Sequence, residues 1–442
     1  MENFRLDALK EFLIQVKDIF FSSETITTQI LLSFSFRVIG AAGAFMLSVL
    51  VARKLGASEA GYYFLSLSIV TVFAAFSRIG LDYSILRFTG EAFPANEWNK
   101  IRTLTCRALV LSASVSLVVV LVLFCFGAVF AESIFNKSPL GDIFRTMAPG
   151  ILGLNLISIL AMSFQGQRKV VTSIFLLNIS VNAILVLALV CFDIEDASTF
   201  SIVFSGAVIA TAFIGLIIWF RGLGESGGSS SWMALFSSCM PLWVVSVMTQ
   251  LTQYAGQAIA GVWIDSSEVA HLAVAQRIAM LTSFILIAVN LVVAPRFASM
   301  YKSRQFVQLE RLAKKSVKVM VAVSGPIVIL ILIVPGHLMS MFGGGFSEGK
   351  TLLQILAVGQ FVNVVSGSVG FLLMMSGHEK EVRNTVLLSG PMAIILSLLL
   401  APIYGAIGAA IATAIAVAAQ NILLVYRVKK VLGFNVLAIW RK

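Results

Sequence analysis

Gly206-Ala-Val-Ile-Ala-Thr-Ala212 and Gly408-Ala-Ala-Ile-Ala-Thr-Ala414 are one heptapeptide written twice, differing at a single position. Each sits in a long apolar run, 200–220 and 404–426. Small apolar heptapeptides recur by chance, so one match alone decides little. Two further pairs fall in the same order: Ser58-Glu59 matches Ser267-Glu268 at an offset of 209, and Gly166 matches Gly377 at 211. Each of those glycines precedes a similar apolar run, Ile174–Leu177 against Thr385–Leu388. The heptapeptides are offset by 202, and a tight turn at Pro402–Gly405 accounts for the shortening. The chain reads as two copies of one apolar unit.

A bilayer span takes ~20 apolar residues. Runs of that kind occupy 30–51, 61–85, 109–130, 143–164, 171–192 and 200–220 in the first copy. The second copy holds 233–264, 269–294, 319–334, 352–375, 386–403 and 404–426. The expected fold is an all-α polytopic membrane protein of about twelve transmembrane helices. Six spans per copy is an even number, so both copies enter the membrane in the same direction, a parallel repeat found in transporters. The sequence divides into an amphipathic segment (1–25), an N-lobe (26–221), a Gly/Ser linker (222–232), a C-lobe (233–428) and a tail (429–442). A cavity is expected between the lobes.

Composition agrees. Hydrophobic residues make up 59% of the 442 residues and charged residues only 12%, against about 25% charge in soluble domains. The net charge of +11 is not gathered on one soluble domain, so no nucleic-acid partner is expected. Lys and Arg cluster at alternate ends of the runs, as in Arg87–Arg107, Arg296–Lys318 and Arg427–Lys442, whereas Asp193, Glu195, Asp196, Asp265 and Glu268 mark the opposite side. By the positive-inside rule, both termini are cytoplasmic. Residues 4–21 mix charge and apolar side chains at helical spacing without a continuous apolar stretch, which suits an interfacial helix rather than a cleaved signal.

Three arginines interrupt the spans: Arg37, Arg78 and Arg277. An arginine at a helix centre costs ~2.5–3.5 kcal/mol on insertion scales, so such residues face a polar cavity or a partner. Arg37 and Arg277 have no carboxylate within a turn and read as cavity cations. Arg78 precedes Asp82 by four residues and reads either as a cavity cation or as half of an ion pair. Arg145 reads as an interfacial snorkeler. Asp82 is the only acid within the spans as drawn, and it is the candidate for ion coupling. A cationic pathway implies an anionic substrate, because guanidinium binds phosphate bidentately and keeps its charge.

Ser246, Gln250, Gln253 and Gln257 share one helical face. Gln250, Gln253 and Gln257 are candidates for contacting a glycan, and interhelical hydrogen bonding is the alternative. For Asn178 and Asn182 that alternative is the better reading. The three histidines (His271, His337, His378) have no HxxxH partner, and the four cysteines no CxxC spacing. No metal, cofactor or catalytic constellation is expected, and a glycan-processing enzyme lacks the outer loops it would need.

Leu50-Val-Ala-Arg-Lys-Leu-Gly56, Glu59-Ala-Gly61-Tyr62, Arg78-Ile-Gly-Leu-Asp82 with Leu86-Arg87, and Gly405-Ala-Ile-Gly408-Ala-Ala-Ile-Ala-Thr413 resemble the polysaccharide transporter branch (Wzx-type O-antigen flippases) of the MOP flippase superfamily. The resemblance implies a MATE/MOP-like pair of six-helix lobes in a bacterial inner membrane. It also implies an undecaprenyl-pyrophosphate-linked oligosaccharide as substrate, turned from the cytoplasmic to the periplasmic leaflet. Membrane lipids, a polysaccharide polymerase and a chain-length regulator are the implied partners. In related lipid II flippases, basic residues on the first and eighth helices line the cavity; Arg37 and Arg277 lie on those helices here. The multidrug branch often carries a carboxylate on an early helix, and none occurs between Glu24 and Glu59. A MATE-like or major-facilitator exporter is the competing reading.

Overall fold

A computed structural model describes residues 24–221 and 232–438; the expected amphipathic segment, the Gly/Ser linker and the end of the tail fall largely outside the described residues. The described chain is all-helical. Its first and last long helices, Glu24–Arg78 and Glu379–Leu432, run 55 and 54 residues. At 1.5 Å per residue each would be about 80 Å long, far beyond a hydrocarbon core of ~30 Å. Each is broken by one glycine, Gly56 (φ 74°, ψ 173°) and Gly405 (φ 58°, ψ −135°), in backbone that L side chains rarely adopt. Past Gly405 the chain folds back: a Cβ on Gly408 would lie 2.1 Å from the Leu400 carbonyl oxygen. The expected turn at Pro402–Gly405 is therefore real, but Pro402 is still helical and the glycine makes the turn.

Other expected spans are broken rather than straight. The eighth bends by 41° between Ser266–Leu281 and Phe284–Asn290. The tenth breaks at Gly367 (φ 76°), between Lys350–Ser366 and Val369–Met375. By length and apolarity eight described helices can cross a membrane, or nine if the bent pair is one span. Large apolar side chains such as Phe213 and Ile403 point outward, Ile403 being 72% exposed, as a lipid solvent allows.

The repeated heptapeptides have a packing role. A Cβ on Gly153 would meet Val208 Cγ1 at 2.7 Å, and one on Gly359 would meet the Ala414 Cα at 2.7 Å. Each heptapeptide thus lies directly on a glycine of another helix, the usual device where lipid supplies no hydrophobic drive. Most of the first half shares one apolar core with residues around Ile264–Ala279, Leu352–Ala357 and Ala401–Ala410. Val289–Phe297, Leu309–Met320, Val364–Leu373 and Leu424–Val436 form a second core. The two halves of the chain are thus knitted together toward one end of the bundle.

Candidate functional site

A cavity of about 370 Å³ lies against the segments of the Glu24–Arg78 helix on either side of Gly56. Ala44, Ser48 and Val51 reach it from the first segment, and Phe64, Leu67, Thr71 and Arg78 from the second. Those spacings are one face of each helix. Another wall comes from Val170–Cys191, which contains a π-helical turn, Phe175–Ile179. A π-turn widens a helix and is common at functional sites. It brings Leu176, Leu177 and Asn182 to the cavity, with the Asn182 amide donating back to the Asn178 carbonyl at 2.7 Å. The second half of the chain contributes Tyr254 and Arg277. The space is therefore walled mostly by the first half rather than shared evenly.

Arg277 stands with its guanidinium carbon 3.9 Å from the centroid of the Phe64 ring, a cation–π contact. Its Nη1 is buried without a hydrogen-bond partner, and no described carboxylate forms an ion pair with it. Tyr63 and Tyr254, both in the lining, frame that end.

Arg78 lines the same cavity but is compensated. Its Nε lies 3.3 Å from Asp82 Oδ2, an ion pair without hydrogen-bond geometry, with side chains only 14% and 9% exposed. This is not a pair along a regular helix, because Ile79 (φ 52°) and Gly80 (φ 69°) break the chain between them. A left-handed β-branched residue is strained. The break is held by the second half of the chain: a Cβ on Gly80 would lie 2.4 Å from Trp243 N, and Trp243 Nε1 donates to the Phe76 carbonyl at 2.9 Å.

Phe64 and Arg78 are fourteen residues apart on one unbroken helical segment, about 21 Å of rise. The two cations therefore mark opposite ends of the cavity. Arg37 is not in the lining. It precedes Ala44 by seven residues on the same helix face, about 10 Å further along, and its Nε is buried without a partner.

The three glutamines do not line the cavity. Gln257 Nε2 donates to the Phe64 carbonyl at 2.6 Å, and the Gln253 carbonyl accepts from Gln276 Nε2 at 2.7 Å. Tyr254, one residue round from Gln253, faces the space instead. Periodicity identified a polar face of this helix, but the cavity meets the adjacent one. Among the described residues no group of His, Cys, Asp or Glu could hold a metal ion.

Beyond Arg277 the two halves close on each other. Ser58 and Ser266 exchange a hydroxyl hydrogen bond at 2.9 Å, and a Cβ on Gly61 would fall 1.7 Å from the Ser266 carbonyl oxygen. Lys137, in the turn after Trp98–Ser133, donates to the Gly261 carbonyl at 2.7 Å. Burial pushes the pKa of its ammonium down, and nearby Asp265 partly offsets this. The loops around Ser58 and Ser266, which correspond in the two sequence copies, thus meet across the bundle.

Solved structures share this architecture at low identity. A multidrug resistance MATE family transporter in an inward-facing conformation superposes with a TM-score of 0.71 at 12% identity, over 96% of this chain and 98% of its own. The lipid II flippase MurJ, in an inward closed conformation, gives 0.68 at 14%, over 91% and 87%. A MOP superfamily transporter from Pyrococcus furiosus gives 0.67 at 12%, over 94% and 96%. A comparison with curated proteins finds no significant match. A MatE family model matches residues 241–380. The polysaccharide biosynthesis protein family model matches residues 26–301, more than half of the chain, and the protein belongs to that family, as a multi-pass membrane protein with the fold these structures share.

Proposed function

We propose that the protein flips an undecaprenyl-pyrophosphate-linked oligosaccharide from the cytoplasmic to the periplasmic leaflet of a bacterial inner membrane. Two six-helix lobes, 26–221 and 233–428, alternate access around the cavity, with both termini cytoplasmic. The observation that carries this reading is Arg277: a buried guanidinium, stacked on a ring and with no carboxylate partner among the described residues, at the end of a cavity that Arg78 also lines. A cation taken out of water without a counter-charge is costly, and an anionic cargo would supply that charge. No carboxylate is among the lining residues, which speaks against a cationic drug as cargo.

Arg37 is the first contact for the diphosphate, two turns before the cavity, Arg78 the next and Arg277 the last. Gln250, Gln253 and Gln257 would meet the glycan only in a conformation that turns their face toward the cavity. Asp82, the ion partner of Arg78, is the candidate for ion coupling. The test is surface glycan in cells that depend on this protein. Replacing Arg37 or Arg277 by alanine abolishes it and lets the lipid-linked intermediate accumulate. Normal glycan with both replaced refutes the proposal. The MATE likeness supports a second reading, a small-molecule exporter; drug resistance on overexpression without a glycan phenotype would favour it.

A further inference from the structure

A second cavity, of about 640 Å³, opens where Phe284–Lys302 ends beside the end of Val369–Met375. It lies on the basic side of the bundle and shares no lining residue with the first. Its rim is a fixed turn. Arg304 is held in left-handed backbone (φ 54°), its N–H donating to the Tyr301 carbonyl at 3.0 Å, and Gln305 N–H donates to the Met300 carbonyl at 2.9 Å. The turn presents Lys302 and Arg304 together into the cavity. Neither forms an ion pair with a described carboxylate, and no acidic residue lines the space.

The floor is aromatic: the Tyr301 ring stands edge-on to Phe306 at 5.8 Å and to His378 at 5.9 Å. Directly beyond the cations, Phe306 is 50% and Val307 72% exposed. Two exposed cations on one turn suit a phosphate, and apolar side chains at the same rim suit a hydrocarbon chain attached to it. Basic pockets between helices at the membrane interface are suited to such headgroups.

We propose that this cavity binds the phosphate headgroup of an anionic glycerophospholipid, whose acyl chains lie along Phe306 and Val307. The site is independent of the transported cargo. The shared chemistry with a free phosphate ion is separable. The purified full-length protein is titrated with phosphatidylglycerol, phosphatidylcholine or inorganic phosphate, and the bound species are counted by native mass spectrometry. Phosphatidylglycerol is expected to bind in preference to phosphatidylcholine.

A basic residue near an anionic surface contributes about fivefold in affinity, so Lys302→Ala with Arg304→Ala should weaken phosphatidylglycerol about thirtyfold. Lys302→Arg with Arg304→Lys should restore it. Lys429→Ala with Lys430→Ala removes the same charge from another exposed basic stretch and should leave it unchanged. Equal weakening by both double-alanine variants would mean bulk electrostatics and would overturn the site. So would equal binding of phosphatidylcholine, and inorganic phosphate competing as well as the lipid would overturn the lipid source.

Discussion

Gly61→Ala tests whether the contact beyond Arg277 is a closed gate. The added methyl would sit 1.7 Å from the Ser266 carbonyl oxygen and 2.4 Å from its carbon, whereas relaxed contacts lie near 3.5 Å. The obstacle is backbone, so the two halves must part by roughly 1.5 Å or more. That separation carries the Ser58–Ser266 hydroxyl pair, now 2.9 Å apart, beyond hydrogen-bond range. Overpacking of this kind costs about 1–3 kcal/mol, and only in conformations where the surfaces touch. The equilibrium should shift away from the closed form by about 5- to 150-fold. The assay is disulfide formation between Ser58→Cys and Ser266→Cys, in a protein whose Cys106, Cys125, Cys191 and Cys239 are serine. Cross-linking should be efficient in that background and should fall by this factor when Gly61→Ala is added. Gly43→Ala, whose Cβ meets nothing within 4 Å, is the control. Undiminished cross-linking with Gly61→Ala would refute the gate.

Two further substitutions separate charge from shape and tight packing from loose. Arg277→Lys keeps the positive charge but loses the planar face laid on Phe64 and the bidentate fork. It should leave partial surface glycan where Arg277→Ala leaves none; equal activity of lysine and arginine would argue against stacking as the positioning force. Gly359→Ala should lower the thermal unfolding midpoint in detergent more than Gly153→Ala, because its Cβ would meet the Ala414 backbone at 2.7 Å, whereas that of Gly153 meets the Val208 side chain at 2.7 Å and backbone only at 3.1 Å. A change of about 1–3 kcal/mol is expected for the former, and a reversed order would refute the packing argument.

Much of this was legible in the residues. Hydropathy placed the long helices because lipid imposes one length and one polarity on every span. The repeat was visible in the heptapeptides themselves, each of which packs closely on a glycine of another helix, Gly153 for the first and Gly359 for the second. Arg277 stood out because a lone charge in an apolar run has few places to go. The break at Ile79 was not legible, since nothing in a β-branched residue announces a left-handed conformation. Tyr63 and Tyr254 were also missed. An aromatic residue in an apolar run reads the same whether it faces lipid, core or cavity. The glutamine face was correctly polar, yet a periodicity names a face without naming what the face meets.

The two arginines of the cavity are not equivalent, and on the proposed function their difference would give transport a direction. Arg78 already has a counter-charge in Asp82 at 3.3 Å, while Arg277 has the ring of Phe64 at 3.9 Å and no described carboxylate in ion-pair contact. On the proposed reading, a diphosphate at Arg78 competes with Asp82, and one at Arg277 competes with nothing. The headgroup is therefore held loosely at the first station and passed on to the second. Asp82→Asn removes the competitor while keeping a side chain able to accept from Tyr83 N–H, as Asp82 Oδ1 does at 3.0 Å. A diphosphate amphiphile should then bind the purified protein more tightly, because Arg78 is freed, while surface glycan falls because the headgroup stalls there. A neutral partner also leaves a nearly buried cation uncompensated, so the unfolding midpoint should drop and then recover when the amphiphile is added. If binding and glycan fall together, with no recovery of the midpoint, Arg78 and Asp82 are a brace across the Ile79–Gly80 break and take no part in passing cargo.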